Sequence, residues 1–274
     1  MSRAAVGGLR RWAVAGGLLG AIAGGLMSLP AAWLAGGVAR ATQGQFLLAD
    51  ARGTVWSGSA VAVLSAGADS RTAVALPGRL GWSLGWADGA FELRARQACC
   101  LRGQPRLRLR PGFGVWQFEL KPSIAGNVPG GPGAALIGQW PAAWLAGLGT
   151  PWNTLKLDGA LRLSTGGLRV DLAQGRWQLA GDAVLDLQRV SSRLSTLPVL
   201  GSYRLDVTAG DAGARLTLAT LSGALRLSGD GSWDAGGLRL RGEASAAAGA
   251  EAALDNLLNI IGRRQDARSI IAIG

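Results

Sequence analysis

The side chains that most often carry catalysis are nearly missing from this sequence. It contains no histidine, which excludes a Ser-His-Asp triad, a Cys-His pair and any His-ligated metal site. Its two cysteines, Cys99 and Cys100, are adjacent. They are too few for a four-cysteine zinc site. A disulfide between neighbours closes a strained ring, so the pair reads as two small apolar residues near a turn rather than as a staple. No phosphate-cradling Gly-x-x-x-x-Gly-Lys-Ser/Thr string and no dinucleotide fingerprint is present. Carboxylate chemistry is what remains: Asp182 with Asp186, or Glu92 with Glu119, could converge as acid and base. The 17 acids are scattered along strand-like runs, however, and read as ordinary solubilising charge. No cofactor and no metal is expected, and the chain reads as a non-enzyme.

The basic residues point to a partner rather than to a reaction. Arginine supplies nearly all of the net charge of +11, with lysine only at Lys121 and Lys156. Such a balance favours anionic surfaces, either nucleic acid or membrane phosphate. Arg106, Arg108 and Arg110 alternate with Leu107 and Leu109 and give one strand a basic face. Stacking aromatics are not interleaved with them, so nucleic acid is not expected. The face reads as solvated, with anionic lipid headgroups as the functional alternative.

Location follows from the N-terminus. After Arg3, Arg10 and Arg11, residues 12–39 carry no charge, against the 20 or so that a membrane-spanning helix needs. Trp12, Leu18, Leu19, Ile22, Leu26 and Met27 supply the apolar bulk and are the expected anchor residues. Pro30 is expected to end or kink the span, because it lacks the amide that a continuing helix requires. Basic residues before the run predict a cytoplasmic N-terminus and an exported body in a single-pass membrane protein. A cleaved signal peptide is the rival, with small residues around Ala39 and Ala41. The apolar run exceeds the ~7–15 residues of a signal core, which favours a retained anchor.

The body reads as mainly β, in antiparallel meanders forming a curved sheet or a sandwich. Leu80, Trp82, Leu84 and Trp86 alternate with glycine and serine, and Trp116, Phe118 and Leu120 alternate with Gln117 and Glu119. Short glycine turns such as Asp88-Gly89 and Asp158-Gly159 separate the runs. The string Pro-Ala-Ala-Trp-Leu-Ala-Gly occurs at 30–36 and again at 141–147, each copy followed by Gly-Thr-x-Trp. That echo predicts two related halves. The expected organisation is 1–40 anchor, 41–125 first β-rich half, 126–148 Gly/Pro-rich seam with a short helix, and 149–274 second β-rich half.

The second half closes on a helix. Leu254, Leu257, Leu258 and Ile261 fall at i, i+3, i+4 and i+7, with Glu251 in the first turn and Gly262 placed to terminate. The apolar stripe is expected to pack on the core. Asn256 and Asn259 on the polar face, with Arg263 and Arg264 after it, are the candidate partner contacts.

Several strings in order carry a family resemblance: Leu-Pro-Ala-Ala-Trp-Leu at 29–34, Gly-Thr-Val-Trp-Ser-Gly at 53–58, Leu-Pro-Gly-Arg-Leu-Gly-Trp at 76–82, Leu-Gly-Ser-Tyr at 200–203, and Asn-Leu-Leu-Asn-Ile-Ile-Gly-Arg-Arg at 256–264. Together they resemble protein N of the bacterial type II secretion system, the GspN family. The resemblance implies an accessory inner-membrane subunit with one anchor and a periplasmic body, whose partners are other secretion components and inner-membrane lipid. It brings no catalytic residues, and Cys99 and Cys100 are not associated with the family. The expected function is therefore a non-catalytic interaction subunit. A periplasmic lipid-binding or lipid-shuttling sheet protein is the alternative.

Overall fold

Alternating apolar residues and glycine turns build strands in the computed structural model, which describes residues 3–68, 70–123, 133–173, 176–210, 213–234 and 237–273. The first sheet contains β1 (Phe46–Gly53), β2 (Ser57–Ser65), β3 (Ala73–Ala75), β4 (Leu80–Ala87), β5 (Ala90–Arg96), β6 (Arg106–Pro111) and β7 (Val115–Lys121). The chain then starts a second sheet with β8 (Ala135–Pro141) and β9 (Leu157–Thr165), and returns to the first with β10 (Leu168–Ala173) and β11 (Arg176–Ala180). The second sheet is completed by β12 (Asp182–Ser192), β13 (Gly201–Gly210), β14 (Gly213–Gly223), β15 (Leu225–Asp234), β16 (Gly237–Ala246), β17 (Arg263–Gln265) and β18 (Arg268–Ile273).

Among the described residues each sheet has nine strands, in the orders β1-β2-β4-β5-β6-β7-β10-β11, with β3 also on β2, and β17-β18-β16-β15-β14-β13-β12-β9-β8. Neighbours pair antiparallel, as the short turns require. The excursion of β10 and β11 interleaves the sheets, and β11 lies against β13 and β14. Most of the Gly/Pro-rich seam, 124–132, lies outside the described residues.

The uncharged N-terminal run does not form one helix. Helix α1 (Arg3–Met27) stops before Pro30, whose extended backbone (φ −63°, ψ 145°) opens α2 (Ala31–Ala41). Helix α2 packs on β1 and β2 and buries Ala31. Residues 12–27 give about 24 Å of uncharged helix at ~1.5 Å per residue, short of a hydrocarbon core about 30 Å thick. Arg10 and Arg11 lie inside α1, and its glycines dilute the apolar content. No helix among the described residues is long and apolar enough to cross a membrane. The C-terminal end of α1 is tied to the body: Trp56 Nε1 donates to the Leu26 carbonyl at 2.8 Å, and the Val55 amide donates to that of Leu29 at 2.9 Å.

The second copy of the seven-residue string opens in the same way, with Pro141 at φ −65° and ψ 133°, but continues as a 3-10 helix, Ala142–Leu148, followed by α3 (Trp152–Leu155). Ala142 is buried as Ala31 is. The tryptophans differ. Trp33 is 70% exposed, whereas Trp144 donates Nε1 to the Val74 carbonyl and packs between Phe46 and Trp140.

The largest core lies under α4 (Glu251–Ile261), where Leu254, Leu257 and Leu258 meet Leu200, Tyr203, Leu225 and Ala244 of the second sheet. Two smaller clusters sit at Ala31, Ala60 and Trp82 and at Ala62, Leu76 and Cys100. The accessible surface, 16159 Å² for 28.0 kDa, exceeds the roughly 11,000 Å² expected of a compact monomer of that mass. The free-standing α1 and the incompletely covered sheet faces account for the excess.

Candidate functional site

Of the carboxylates singled out as acid–base candidates, Glu92, Glu119 and Asp186 are employed in ion pairs, while the Asp182 carbonyl accepts from the Thr165 hydroxyl. Strand register places Glu92, Arg108, Glu119 and Arg169 side by side across β5, β6, β7 and β10. Glu92 accepts from Arg94 at 2.7 Å and faces Arg108 at 3.3 Å, while Arg108 also reaches Asp88 at 2.8 Å. Glu119 faces Lys121 at 3.0 Å and Arg169 at 3.4 Å. Partial burial pushes the Glu119 carboxyl up, but these two cations outweigh it and hold the group below its ordinary value. Asp186 takes two bonds from Arg204, at 2.8 and 3.1 Å. These bonds hold the guanidinium protonated, its pKa raised. The polar face of the first sheet is thus an alternating charge ladder rather than a purely basic strip.

The two cysteines depart from expectation. Cys99 and Cys100 are bonded to each other. The pair sits in a turn at Gln97, whose carbonyl accepts the amides of Cys100 and Leu101. Cys100 is nonetheless a core residue at 5% exposure. Its carbonyl accepts the Gln139 amide at 2.7 Å, and the Arg102 amide donates to Ile137 at 2.9 Å, so this turn clasps the first sheet to the β8 edge of the second. Gly138 lies opposite, where a Cβ would stand 2.6 Å from the Cys100 carbonyl oxygen. Beside the turn is a cleft of about 500 Å³ lined by Ser59, Arg79, Arg96 and Gln97. Arg79 is spent on Asp50 and Ser59. Among the described residues no group of three or more Cys, Asp or Glu is arranged for a metal ion.

The candidate partner contacts fall on two sides of α4. Asn256 and Asn259 are exposed on its outer face, joined there by Ile260. Arg263 is exposed on β17, but Arg264 is half-buried, paired with Asp255 at 3.0 Å and donating to the Asp266 carbonyl at 2.7 Å. The structure therefore gathers Asn256, Asn259 and Ile260 and turns Arg264 inward. The anchor residues Trp12, Leu18, Leu19, Ile22, Leu26 and Met27 are exposed on α1.

A feature that sequence reasoning did not single out lies on the other face of the first sheet. Register aligns Leu84, Leu93, Leu107, Leu120 and Leu168 in one cross-strand row. A second row runs Trp86, Phe91, Leu109, Phe118, Val170 and Leu179. A third joins Pro111, Trp116 and Leu172. Only Leu179 of these is buried, and no residue of β6, β7 or β10 belongs to any of the three cores. The alternation was visible in the sequence. That Leu93 packs against the cluster of Ala31, Ala60 and Trp82, while the rows on β6, β7 and β10 join no core among the described residues, was not, because coverage depends on where distant elements pack.

These features define a two-sheet antiparallel protein with an N-terminal helix tied to the body at its C-terminal end. Residues 44–272 match the family described as Type II secretion system (T2SS), protein N, and the chain belongs to that family. Membership implies a role in type II secretion, in keeping with the resemblance carried by the strings above. No curated protein and no solved structure matches the chain.

Proposed function

We propose that the chain is a non-catalytic accessory subunit of the type II secretion apparatus. In this reading α1 seats it at the inner membrane, N-terminus cytoplasmic, and the β body lies in the periplasm and contacts other components. The observation that carries the reading is the family match, which spans nearly the entire β body. Three structural features support it. The candidate carboxylates Glu92, Glu119 and Asp186 are neutralised by arginine or lysine. Helix α1 exposes its apolar side chains, with Trp12, Leu19 and Met27 each more than two-thirds exposed. Its uncharged segment is short for a full span, and a short span is accommodated by local bilayer thinning or by packing against neighbouring helices. The outer face of α4 offers amide side chains and Ile260 without disturbing the core beneath.

The test is affinity isolation of the secretion complex from membranes in mild detergent. The wild-type chain is expected to co-purify. An Asn256→Arg/Asn259→Arg variant, present at equal abundance, is expected to be recovered about tenfold less, a loss of ~1.4 kcal/mol of binding. A complex that never contains the wild-type chain contradicts the proposal, and undiminished recovery of the variant removes α4 as the contact.

A further inference from the structure

The bond between Cys99 and Cys100 is a reactive group that the proposed role leaves unused. It spans no intervening residue. A disulfide stabilises a fold chiefly by restricting the unfolded chain, and the restriction grows with the length of the loop that it closes. A bond between neighbours therefore adds little to global stability. What it restricts is local: the backbone of the turn in which both residues sit.

That turn is a joint between the sheets. The Gln97 carbonyl accepts the Cys100 amide at 3.3 Å and the Leu101 amide at 3.1 Å. Leu101 then bridges antiparallel to Gly138, between the bonds that join Cys100 to Gln139 and Arg102 to Ile137. Cys100 also packs with Ala62 and Leu76 in a core that Trp140 and Trp144 join. The joint has a second fastening. The 3-10 helix Ala142–Leu148 packs on β2 and β3, and its Trp144 donates to the Val74 carbonyl. Opening the bond thus frees the turn without separating the sheets.

The two sulfurs differ in access, Cys99 being exposed and Cys100 buried. A thiolate opens a disulfide by attacking one sulfur and expelling the other, so attack falls on Cys99. Arg96 and Arg102, both exposed, flank the pair in sequence, and residues 93–118 contain no acid. Cationic surroundings favour an anionic attacker.

We propose that the Cys99–Cys100 bond is a thiol–disulfide exchange site, opened at Cys99 by a protein dithiol of the Cys-x-x-Cys type, and that opening loosens the clasp onto β8. The first thiolate of the dithiol bonds to Cys99 Sγ, while Cys100 Sγ leaves with the electron pair and takes up a proton. The second thiolate then attacks its neighbour in the mixed disulfide and expels Cys99 Sγ, which is protonated in turn. Two electrons and two protons pass to the pair, and the dithiol becomes a disulfide. The inference holds whatever apparatus the chain serves.

Two measurements on the full chain in mild detergent test it. In the first, the chain meets a thioredoxin-type protein whose second active-site cysteine is replaced by serine, so that the mixed disulfide is trapped. Fragmentation of the tryptic peptide 97–102 is expected to place the adduct on Cys99. In the second, hydrogen exchange is compared before and after reduction by the intact dithiol protein. The amides of 100–102 and 137–139 are expected to exchange about tenfold faster after reduction, and those of 254–258 in α4 to stay unchanged. A Cys99→Ser variant should match the reduced chain without any dithiol. Absence of a trapped adduct, or an adduct mainly on Cys100, overturns the proposal. So does unchanged exchange at 100–102 and 137–139. Faster exchange throughout, α4 included, overturns it in favour of a structural staple.

Discussion

Asp50 shows how a single residue is committed to architecture. It sits at φ 49° in the irregular stretch of β1 between Ala49 and Arg52. There Arg79 donates to its carboxylate at 2.7 Å and to its carbonyl at 2.6 Å, while reaching Ser59 on β2 as well. The Arg79 bond first, and the Arg52 bond second, hold the Asp50 carboxyl below its ordinary value of 3.8. A depressed carboxylate contributes stability that is fully present above the unfolded value and is lost as pH falls through the folded one. Asp50→Asn is therefore expected to lower Tm at pH 7 by a modest amount, the group being exposed. The gap to wild type should close as pH falls below about 3.8. Thermal melts at pH 7 and pH 3 check this, and a gap that persists undiminished at pH 3 contradicts it. Sequence indicated which carboxylates were available but not their fate. Glu92 and Glu119 lie far apart in sequence, and only strand register places Arg108 between them.

At the scale of elements, sequence pattern succeeded where one local period governs and failed where a distant contact decides. Helix α4 was legible because Leu254, Leu257 and Leu258 repeat at helical spacing, and all three are buried. Ser195 and Ser269 donate to the carbonyls of Ala253 and Leu258 and fasten the helix to its surroundings. Leu257→Ala is expected to cost about 2–5 kcal/mol, as cavity-forming substitutions in a packed core do. Asn256→Ala on the outer face should stay within about 0.5 kcal/mol. Denaturant unfolding of the two variants measures the difference, and equal midpoints would place the helix off the core. The break between α1 and α2 was only half legible. Pro30 announced a stop, but the docking of α2 on β1 and β2, and the anchoring of Leu26 and Leu29 by Trp56 and Val55, depend on strands that follow in sequence. The Cys99–Cys100 bond was read the other way, since adjacency argued against it. The turn at Gln97 and the clasp onto β8 are tertiary features that spacing does not encode.

Over the whole molecule, alternation and glycine turns were enough to read an antiparallel, mainly β body. They did not reveal that β10 and β11 leave their sequence neighbours to complete the first sheet, because a strand's alternation is the same in either sheet. Nor did they reveal which apolar rows join a core, since a strand packed in a sandwich carries the same pattern as one lying open. The resulting molecule has structural charge ladders on one face of the first sheet, apolar rows on the other and an apolar N-terminal helix tied to the body at its C-terminal end. Membership of the protein N family places the chain in type II secretion. The most direct measurement is a secretion assay in a deletion strain, with and without a plasmid copy, following an abundant enzyme exported by the system. The account predicts that the enzyme accumulates in the periplasm of the deletion strain and that the plasmid restores its release. Unchanged release in the deletion strain would contradict it.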